Sequence, residues 1–402
     1  MKKILIIIFL LIITGIVLAN FNKTAKTQPM EKDVYESINL FTTILYEVKQ
    51  SYYKDIPIST LINYAIEGML EKLDPYSSYL KKEDFKELNN YTNGELYGVG
   101  IQFFKNKNNM IEILYVVDGS PAKRNGIHSG DILLSINNKP VSYLSVMEVS
   151  QRLQEKDKNI RMDLIHENNR SYHITLNKEK IKIDDISTKK YGNILYIKIP
   201  TFNKNTAIEL KKVINKNKNI SGIILDLRNN GGGLLNQAIF AADLFLDNRL
   251  IAKLENSNMS HEEIFTSKPG DILNGQPIVI LIDESTASAS EVLAGSLQEN
   301  HRATIVGTKS FGKGVVQDIL SIGNGDYLKL TTSEYLLPSD KKVDGVGIMP
   351  DIIIFKDGSI CKNCTDSKLK EMKGLENNFV AKEGSAIDYQ LNKAIEILQT
   401  KE

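Results

Sequence analysis

An alternation that begins near Ile181 restricts the fold more than any other feature of the chain. Ile194–Ile199, Ile223–Leu227 and Ile278–Ile282 are short, almost wholly apolar runs, while Leu234–Leu246 and Ala289–Leu297 carry helical spacing. Runs of that length read as buried strands, and strands alternating with helices imply an α/β layer architecture. A chain of 402 residues is expected to hold two or three domains, so this core, taken as residues 180–355, is one of several.

The segments around it have a different character. In residues 34–95 apolar side chains recur at three- and four-residue steps (Ile38, Phe41, Leu45, Val48; then Leu61, Ala65, Met69), which predicts an N-terminal helical region. Asp74-Pro75 ends its second helix, because proline disfavours the helical conformation at the residue before it. Residues 96–178 are a β-rich module: Gly100–Phe104, Ile111–Val117, Ile132–Ile136, Ile160–Ile165 and Ser171–Leu176 are separated by turns, with a helix at Tyr143–Gln154 among them. Residues 356–402 are lysine-rich and end in a short amphipathic helix through Leu391, Ile395 and Leu398.

Residues 1–20 are an export signal in pattern. Lys2-Lys3 precede an apolar stretch from Ile4 to Ala19, with small residues at Val17-x-Ala19 for a cut. That stretch is a little short of the roughly 20 residues of a membrane span, so an uncleaved inner-membrane anchor over 4–19 stays open. Either way the chain is expected in the periplasm or cell envelope, with membrane contact only through this segment. Lys and Arg number 50 against 49 Asp and Glu, which argues against a nucleic-acid partner. Two cysteines cannot form a four-thiolate zinc site, and neither a metal nor a cofactor is expected.

Three segments carry candidate chemistry. Asp283-Glu284-Ser285-Thr286-Ala287-Ser288-Ala289-Ser290-Glu291 joins a strand to a helix, where free amides and the positive end of the helix dipole suit a nucleophile that generates an oxyanion. Ser288 and Glu291 equally fit a capping box. Gly307-Thr308-Lys309-Ser310-Phe311-Gly312-Lys313-Gly314 nearly matches a phosphate-binding loop, but Gly314 replaces the magnesium-binding hydroxyl and a strand-like Val315-Val316 follows. Ser310-x-x-Lys313 matches the penicillin-binding pattern without its companion motifs. In the third reading Lys313 is the base for a serine elsewhere. A lysine amine ordinarily titrates near 10.4, and keeping it neutral near pH 7 costs about 4 kcal/mol, which burial must impose. Gln317, four positions on, lies on the same face of a strand and could orient the amine. Finally, the triple glycine of Asn230-Gly231-Gly232-Gly233 lets amides approach a ligand closely, as an oxyanion site or a phosphate nest.

Taken in order, the motifs resemble the carboxyl-terminal processing peptidases, the tail-specific serine proteases. The resemblance runs from about residue 35 to 355 through Gly68-Met69-Leu70-x-x-Leu73-Asp74-Pro75-Tyr76-Ser77, then Gly98-Val99-Gly100-Ile101 with Ser120-Pro121-Ala122 and Gly130-Asp131. It continues through Asp226-Leu227-Arg228-x-Asn230-x-Gly232-Gly233, Thr286-Ala287-Ser288-Ala289-Ser290-Glu291, Phe311-Gly312-Lys313-Gly314-x-Val316-Gln317 and Gly345-Val346-Gly347-Ile348-x-Pro350-Asp351. Asp388-x-Gln390-Leu391-x-x-Ala394 adds a match near the C-terminus. Gly231 stands where the family often has proline, and Asp340 where it often has glycine.

The resemblance implies a crotonase-like β/α core with an inserted PDZ-like domain. It also implies Ser288 as nucleophile, Lys313 as general base and Gln317 as the residue positioning that base. The 25-residue separation of Ser288 and Lys313 singles out Ser288 from Ser285 and Ser290 in that pattern. The amides of Ala289 and Gly232 would form the oxyanion hole, and Val99, Gly100 and Ile101 would take the carboxylate of a substrate tail. The expected partners are proteins or peptides with apolar, unstructured C-termini, with an activating adaptor and a homo-oligomer as further options. The alternative is a catalytically silent PDZ protein that only binds peptides. Cys361-Lys362-Asn363-Cys364 lies outside the family pattern and reads as a small-loop disulfide in an oxidising compartment, with half a metal site as the weaker option.

Overall fold

The computed structural model describes residues 32–106, 108–155, 158–166, 170–182, 186–256, 262–323, 325–355, 357–361, 364 and 387–400. The export segment and most of the lysine-rich stretch lie outside these residues. Two compact units are present, residues 1–66 and 67–402. The first holds α1 (Lys32–Ser51) and the start of α2 (Ile58–Leu73). No helix among the described residues is long and apolar enough to cross a membrane.

The second unit begins inside the N-terminal helical region of residues 34–95, and the reason is long-range pairing. After α2 stops before Asp74-Pro75, β1 (Ser78–Leu80) pairs antiparallel with the strand Tyr327–Leu336. The next helix, α3 (Lys82–Thr92), stacks Phe85 on Tyr327 with ring centroids 3.8 Å apart. No local pattern announces contacts to residues so far away in the chain.

The β-rich module is closed by β2 (Glu95–Gly98) pairing with β9 (Glu179–Lys182). Between them lie β3 (Ile101–Lys105), β4 (Ile111–Val116), β5 (Ile132–Ile136), β6 (Lys139–Pro140), β7 (Asn159–Ile165) and β8 (Ser171–Asn177), in the order β3-β4-β5-β7-β8 with β6 on β5. Two helices, α4 (Pro121–Arg124) and α5 (Val146–Gln154), complete it. The latter starts later than its apolar pattern suggests because Ser145 and Glu148 form a capping box around its first turn. Ile113, Val116, Ala122, Ile136 and Met162 fill a core of the module's own.

The α/β core is a seven-stranded sheet in the order β10-β11-β12-β15-β16-β19-β20. Its strands are β10 (Ser187–Tyr191), β11 (Ile194–Lys198), β12 (Gly222–Asp226), β15 (Ile278–Ile282), β16 (Ala303–Gly307), β19 (Ile352–Ile354) and β20 (Ile360–Cys361). β11 through β19 run parallel and only the edge strands are antiparallel. Alternation along β12 and β15 sends Ile223, Leu225, Ile278 and Ile280 into one core, shared with α6 (Thr206–Lys216), α7 (Leu235–Asp243) and α8 (Ala289–Glu299). The residues between them, Ile224, Val279 and Leu281, point to the other face, where Ala394 and Leu398 of α9 (Tyr389–Gln399) cover them. A parallel sheet needs both faces covered, which explains the terminal amphipathic helix. Arg228 fastens it: its guanidinium donates to Asp226 and Asp388, and to Gln390 at 3.1 Å. Those partners account for the terminal Asp388-x-Gln390 pattern.

A second, antiparallel sheet was not foreseen. β18 (Tyr327–Leu336) lies at its centre, pairing with β1, β13 (Leu250–Glu255) and β17 (Val315–Ser321), while β14 (Glu263–Thr266) pairs with β13. Cys361 and Cys364 are disulfide-bonded.

Candidate active site

The nucleophile candidate stands on the rim of the parallel sheet. Beyond β15 the turn is tied to the end of β12: Thr286 Oγ1 donates to the Leu227 carbonyl at 2.8 Å, and the Ala287 amide to the Asn230 carbonyl at 3.0 Å. Ser288 then takes φ 56° and ψ −119° immediately before α8. A side-chain-bearing residue is rarely found there, and holding it costs on the order of 1–3 kcal/mol. Glu291 accepts the Ser288 amide at 2.8 Å, so the capping contact coexists with a half-buried Ser288 that borders a cavity. Ser285 and Ser290 are buried, the latter donating to the Asn230 carbonyl at 3.1 Å, whereas Ser288 lines a cavity.

Lys313 sits on a loop strapped to that turn. Glu291 is fully buried, and its carboxylate accepts Ser310 Oγ at 2.5 Å, the Gly312 amide at 2.7 Å and the Lys313 amide at 2.9 Å in addition to Ser288. Burial pushes this carboxyl above the usual range, and the four donors pull it back. The Tyr335 hydroxyl adds a second brace, donating to the Lys313 carbonyl at 3.0 Å and to the Ser288 carbonyl at 3.3 Å. Glycine is required beside the lysine, since a Cβ on Gly314 would lie 2.2 Å from the Asp344 amide nitrogen. This geometry disposes of two rival readings. The loop runs into β17 rather than a helix, which a phosphate loop needs. Ser310 is buried on Glu291 and accepts the Ile348 amide at 2.6 Å, so it cannot serve as the serine of an S-x-x-K pair.

The Lys313 amine lies 4.6 Å from the centre of the Tyr76 ring and has no ion-pair partner among the described residues. Withdrawal from water, helped by the like charge of Lys329, lowers its pKa to about 7, against the pull of Asp74, Glu291 and Asp344. Lys329, half-buried on β18, is itself pushed below the ordinary lysine value by burial. Neither Tyr76, Lys329 nor Tyr335 was read as functional from sequence. A glutamate three residues after a serine was the one visible sign of the brace.

One cavity of about 510 Å³ brings the pieces together: Ser288, Lys313, Gln317, Lys329, Gly231 and Tyr76 line it, as do Ile101 to Phe104 of the β-rich module. Gln317 reaches it by a different route from the one expected. Lys313 precedes β17, and a bulge between Val316 and Gln317 breaks the alternation, so counting four residues along one face does not apply. Its amide donates to Thr331 Oγ1 at 3.2 Å. Gly232 packs on Ser288, whose Cβ would lie 2.9 Å from a Cβ added at this glycine, but its amide donates to Asn230 Oδ1 at 2.9 Å and is not free to take an oxyanion in this conformation. The Ala289 amide, at the first position of α8, has no acceptor among the described residues. In the β-rich module, Val99 and Gly100 are buried, and Gly100 adopts φ 85° against Ser120 where a Cβ would lie at 2.2 Å.

Comparison with known proteins adds independent findings. The profile of peptidase family S41 matches residues 193–354, that of the PDZ domain residues 88–165, and that of the "Activating protease CtpB N-terminal domain" residues 17–84. A carboxy-terminal-processing protease of Bartonella bacilliformis is 35% identical over 332 residues, covering 81% of this chain and 76% of its own. A probable CtpA-like serine protease of Staphylococcus aureus is 34% identical over 336 residues, covering 82% of this chain and 67% of its own. Among solved structures, a photosystem II D1 C-terminal processing protease superposes with a TM-score of 0.65 at 26% identity, over 77% of this chain and 86% of that one.

Proposed function

Starting from the fact that this chain belongs to the carboxyl-terminal processing peptidases, serine-type enzymes of family S41 with a PDZ domain, we propose that it is an exported endopeptidase working through a Ser288–Lys313 dyad. The Ser288 hydroxyl attacks the scissile carbonyl carbon and passes its proton to the neutral Lys313 amine. The resulting oxyanion accepts the Ala289 amide hydrogen. Collapse returns the proton to the leaving amine and leaves an acyl-enzyme, which water then hydrolyses by the same route in reverse. Gly232 would contribute a second amide only after letting go of Asn230. The substrate's apolar tail would add as a strand to the PDZ domain, with its carboxylate on the amides of Val99, Gly100 and Ile101. Export rests on the basic-apolar-small pattern of residues 2–19.

The observation that carries this reading is a strained serine and a lysine held near pKa 7 on the wall of one cavity. The test is cleavage of an unstructured protein with an apolar tail. The wild type should cut it, with a rate that climbs as pH passes about 7 and Lys313 loses its proton, then levels off. Ser288→Ala and Lys313→Ala should each lose roughly a thousandfold or more. A rate flat from about pH 6 to 10 would remove lysine as the base, and equal tail binding without cleavage in all three proteins would leave only the silent peptide binder.

A further inference from the structure

The PDZ module holds a polar cluster that the proposed peptidase chemistry does not use. Asp131, directly before β5, is 1% exposed. Its carboxylate accepts the His128 amide at 2.8 Å and the Tyr172 hydroxyl at 2.7 Å, and its other oxygen lies 2.6 Å from His166 Nδ1. The pairing of Ile132 with Ile165 places Asp131 and His166 side by side at the strand ends. Tyr172 stacks on the His166 ring at 4.1 Å and fixes its plane. The His128 ring faces it with centroids 5.7 Å apart. One ligand atom from each of His128, Asp131 and His166 falls within 4.8 Å of the other two.

We propose that these three residues form a binding site for a divalent metal ion of the zinc class. Two imidazoles and one carboxylate suit zinc, cobalt(II) or nickel(II) rather than calcium or magnesium, which favour all-oxygen sites. Bonds of about 2.0–2.1 Å set tetrahedral ligands roughly 3.4 Å apart. His166 Nδ1 and Asp131 Oδ1, now 2.6 Å apart in a hydrogen bond, must part slightly to admit the ion, and rotation of the exposed His128 side chain brings in the third ligand. Charge gives a second, independent reason. Among the described residues no lysine or arginine pairs with Asp131, so this buried carboxylate is held by the His128 amide, the Tyr172 hydroxyl and the His166 imidazole, with no fixed positive charge beside it. A cation completes that arrangement. None of the three residues lines the Ser288 cavity. The ion therefore clamps the loop at residues 128–131 to β7 and stabilises the PDZ domain without entering hydrolysis.

Titration of tag-free full-length chain with Zn²⁺ by calorimetry, and with Co²⁺ by visible absorption, tests this. One equivalent should bind, and His128→Asn and His166→Asn should each weaken binding by about 10–100-fold. His173→Asn, next to Tyr172 but on the opposite face of β8, and His301→Asn, outside the PDZ domain, should change it less than about twofold. Because His128 is exposed, His128→Asn is expected to keep the native circular dichroism and separates lost ligation from lost folding. Zn²⁺ should raise the unfolding midpoint of the wild type and leave that of the His128→Asn/His166→Asn pair unmoved. No uptake below about 0.1 mM, or uptake unchanged in the double variant, overturns the site. Neither outcome bears on the Ser288–Lys313 dyad.

Discussion

The two sides of the cavity rest on sheets of unlike quality. Ser288 follows β15, whose five residues are all buried, as are those of neighbouring β12. Lys313 leads into β17, which is half-buried at its start and exposed beyond Gln317, and Lys329 lies on β18, buried only at its far end. Ser288, the proposed nucleophile, thus sits on close-packed material in which a shift of one side chain disturbs many others. The base sits on a sheet with room to adjust. Such a division suits the proposed dyad, with the serine held fixed and the lysine on the less tightly packed support. It also means that the connection between the sheets, rather than either sheet alone, sets the reacting geometry.

Glu291 is that connection, so replacing it is the strongest way to break the contrast. One carboxylate oxygen takes Ser310 and Gly312, and the other takes Ser288 and Lys313. In Glu291→Gln an amide NH₂ must face one of these donor pairs. Each buried donor left without an acceptor costs on the order of 1–3 kcal/mol. The expected result is a kcat about a hundredfold lower, with a clear drop in the urea midpoint. Wild-type kcat in Glu291→Gln would show that the two arms hold their spacing without it.

Lys329 offers a sharper probe, because it touches only the base arm. Its positive charge favours a neutral Lys313 and depresses that amine's pKa alongside burial. Lys329→Met removes the like charge and should move the Lys313 pKa upward. In the proposed mechanism the neutral amine is the active form, so the rising limb of the rate profile should move to higher pH. Activity at pH 6 should fall on the order of a few-fold while the alkaline plateau stays put. If the limb does not move, burial alone sets the amine.

How far each arm was legible in the sequence follows the same division. β15 and α8 announce themselves because a strand buried on both faces is an unbroken apolar run, and a helix start attracts serine and glutamate. Tyr327–Leu336 carries Lys329, Thr331 and Thr332 among its apolar residues, since Lys329 faces the cavity and the two threonines bond to Gln317 and Asp318 of β17. Its partners β1 and β13 lie far away in the chain, so no local period marks it as the centre of a sheet. For the same reason Tyr76 gave no sign that it would cover Lys313. Gly232 failed differently. Residue type shows that an amide can come close to Ser288, but only the backbone path shows that it turns toward Asn230.

Gln317 is the finest test of the base arm, and its expected effect is the smallest. Its amide donates to Thr331 Oγ1, the Thr331 amide donates to Ser77 Oγ at 3.0 Å, and Ser77 Oγ donates to Asp74 at 2.7 Å. Asp74 also holds the Tyr76 amide at 2.7 Å, and the Tyr76 ring lies over the Lys313 amine. The positioning role proposed for Gln317 would therefore run through the turn that covers the lysine, five contacts removed. A single hydrogen bond of this kind is worth about 0.5–1.5 kcal/mol, so Gln317→Ala should lower kcat by roughly threefold to tenfold and leave KM nearly unchanged. Thr331→Val should cost a similar amount, and the double variant no more than the larger single loss, because both remove one relay. A loss in Gln317→Ala as deep as that of Lys313→Ala, additive with Thr331→Val, would mean that the glutamine leaves Thr331 during turnover and holds the amine directly.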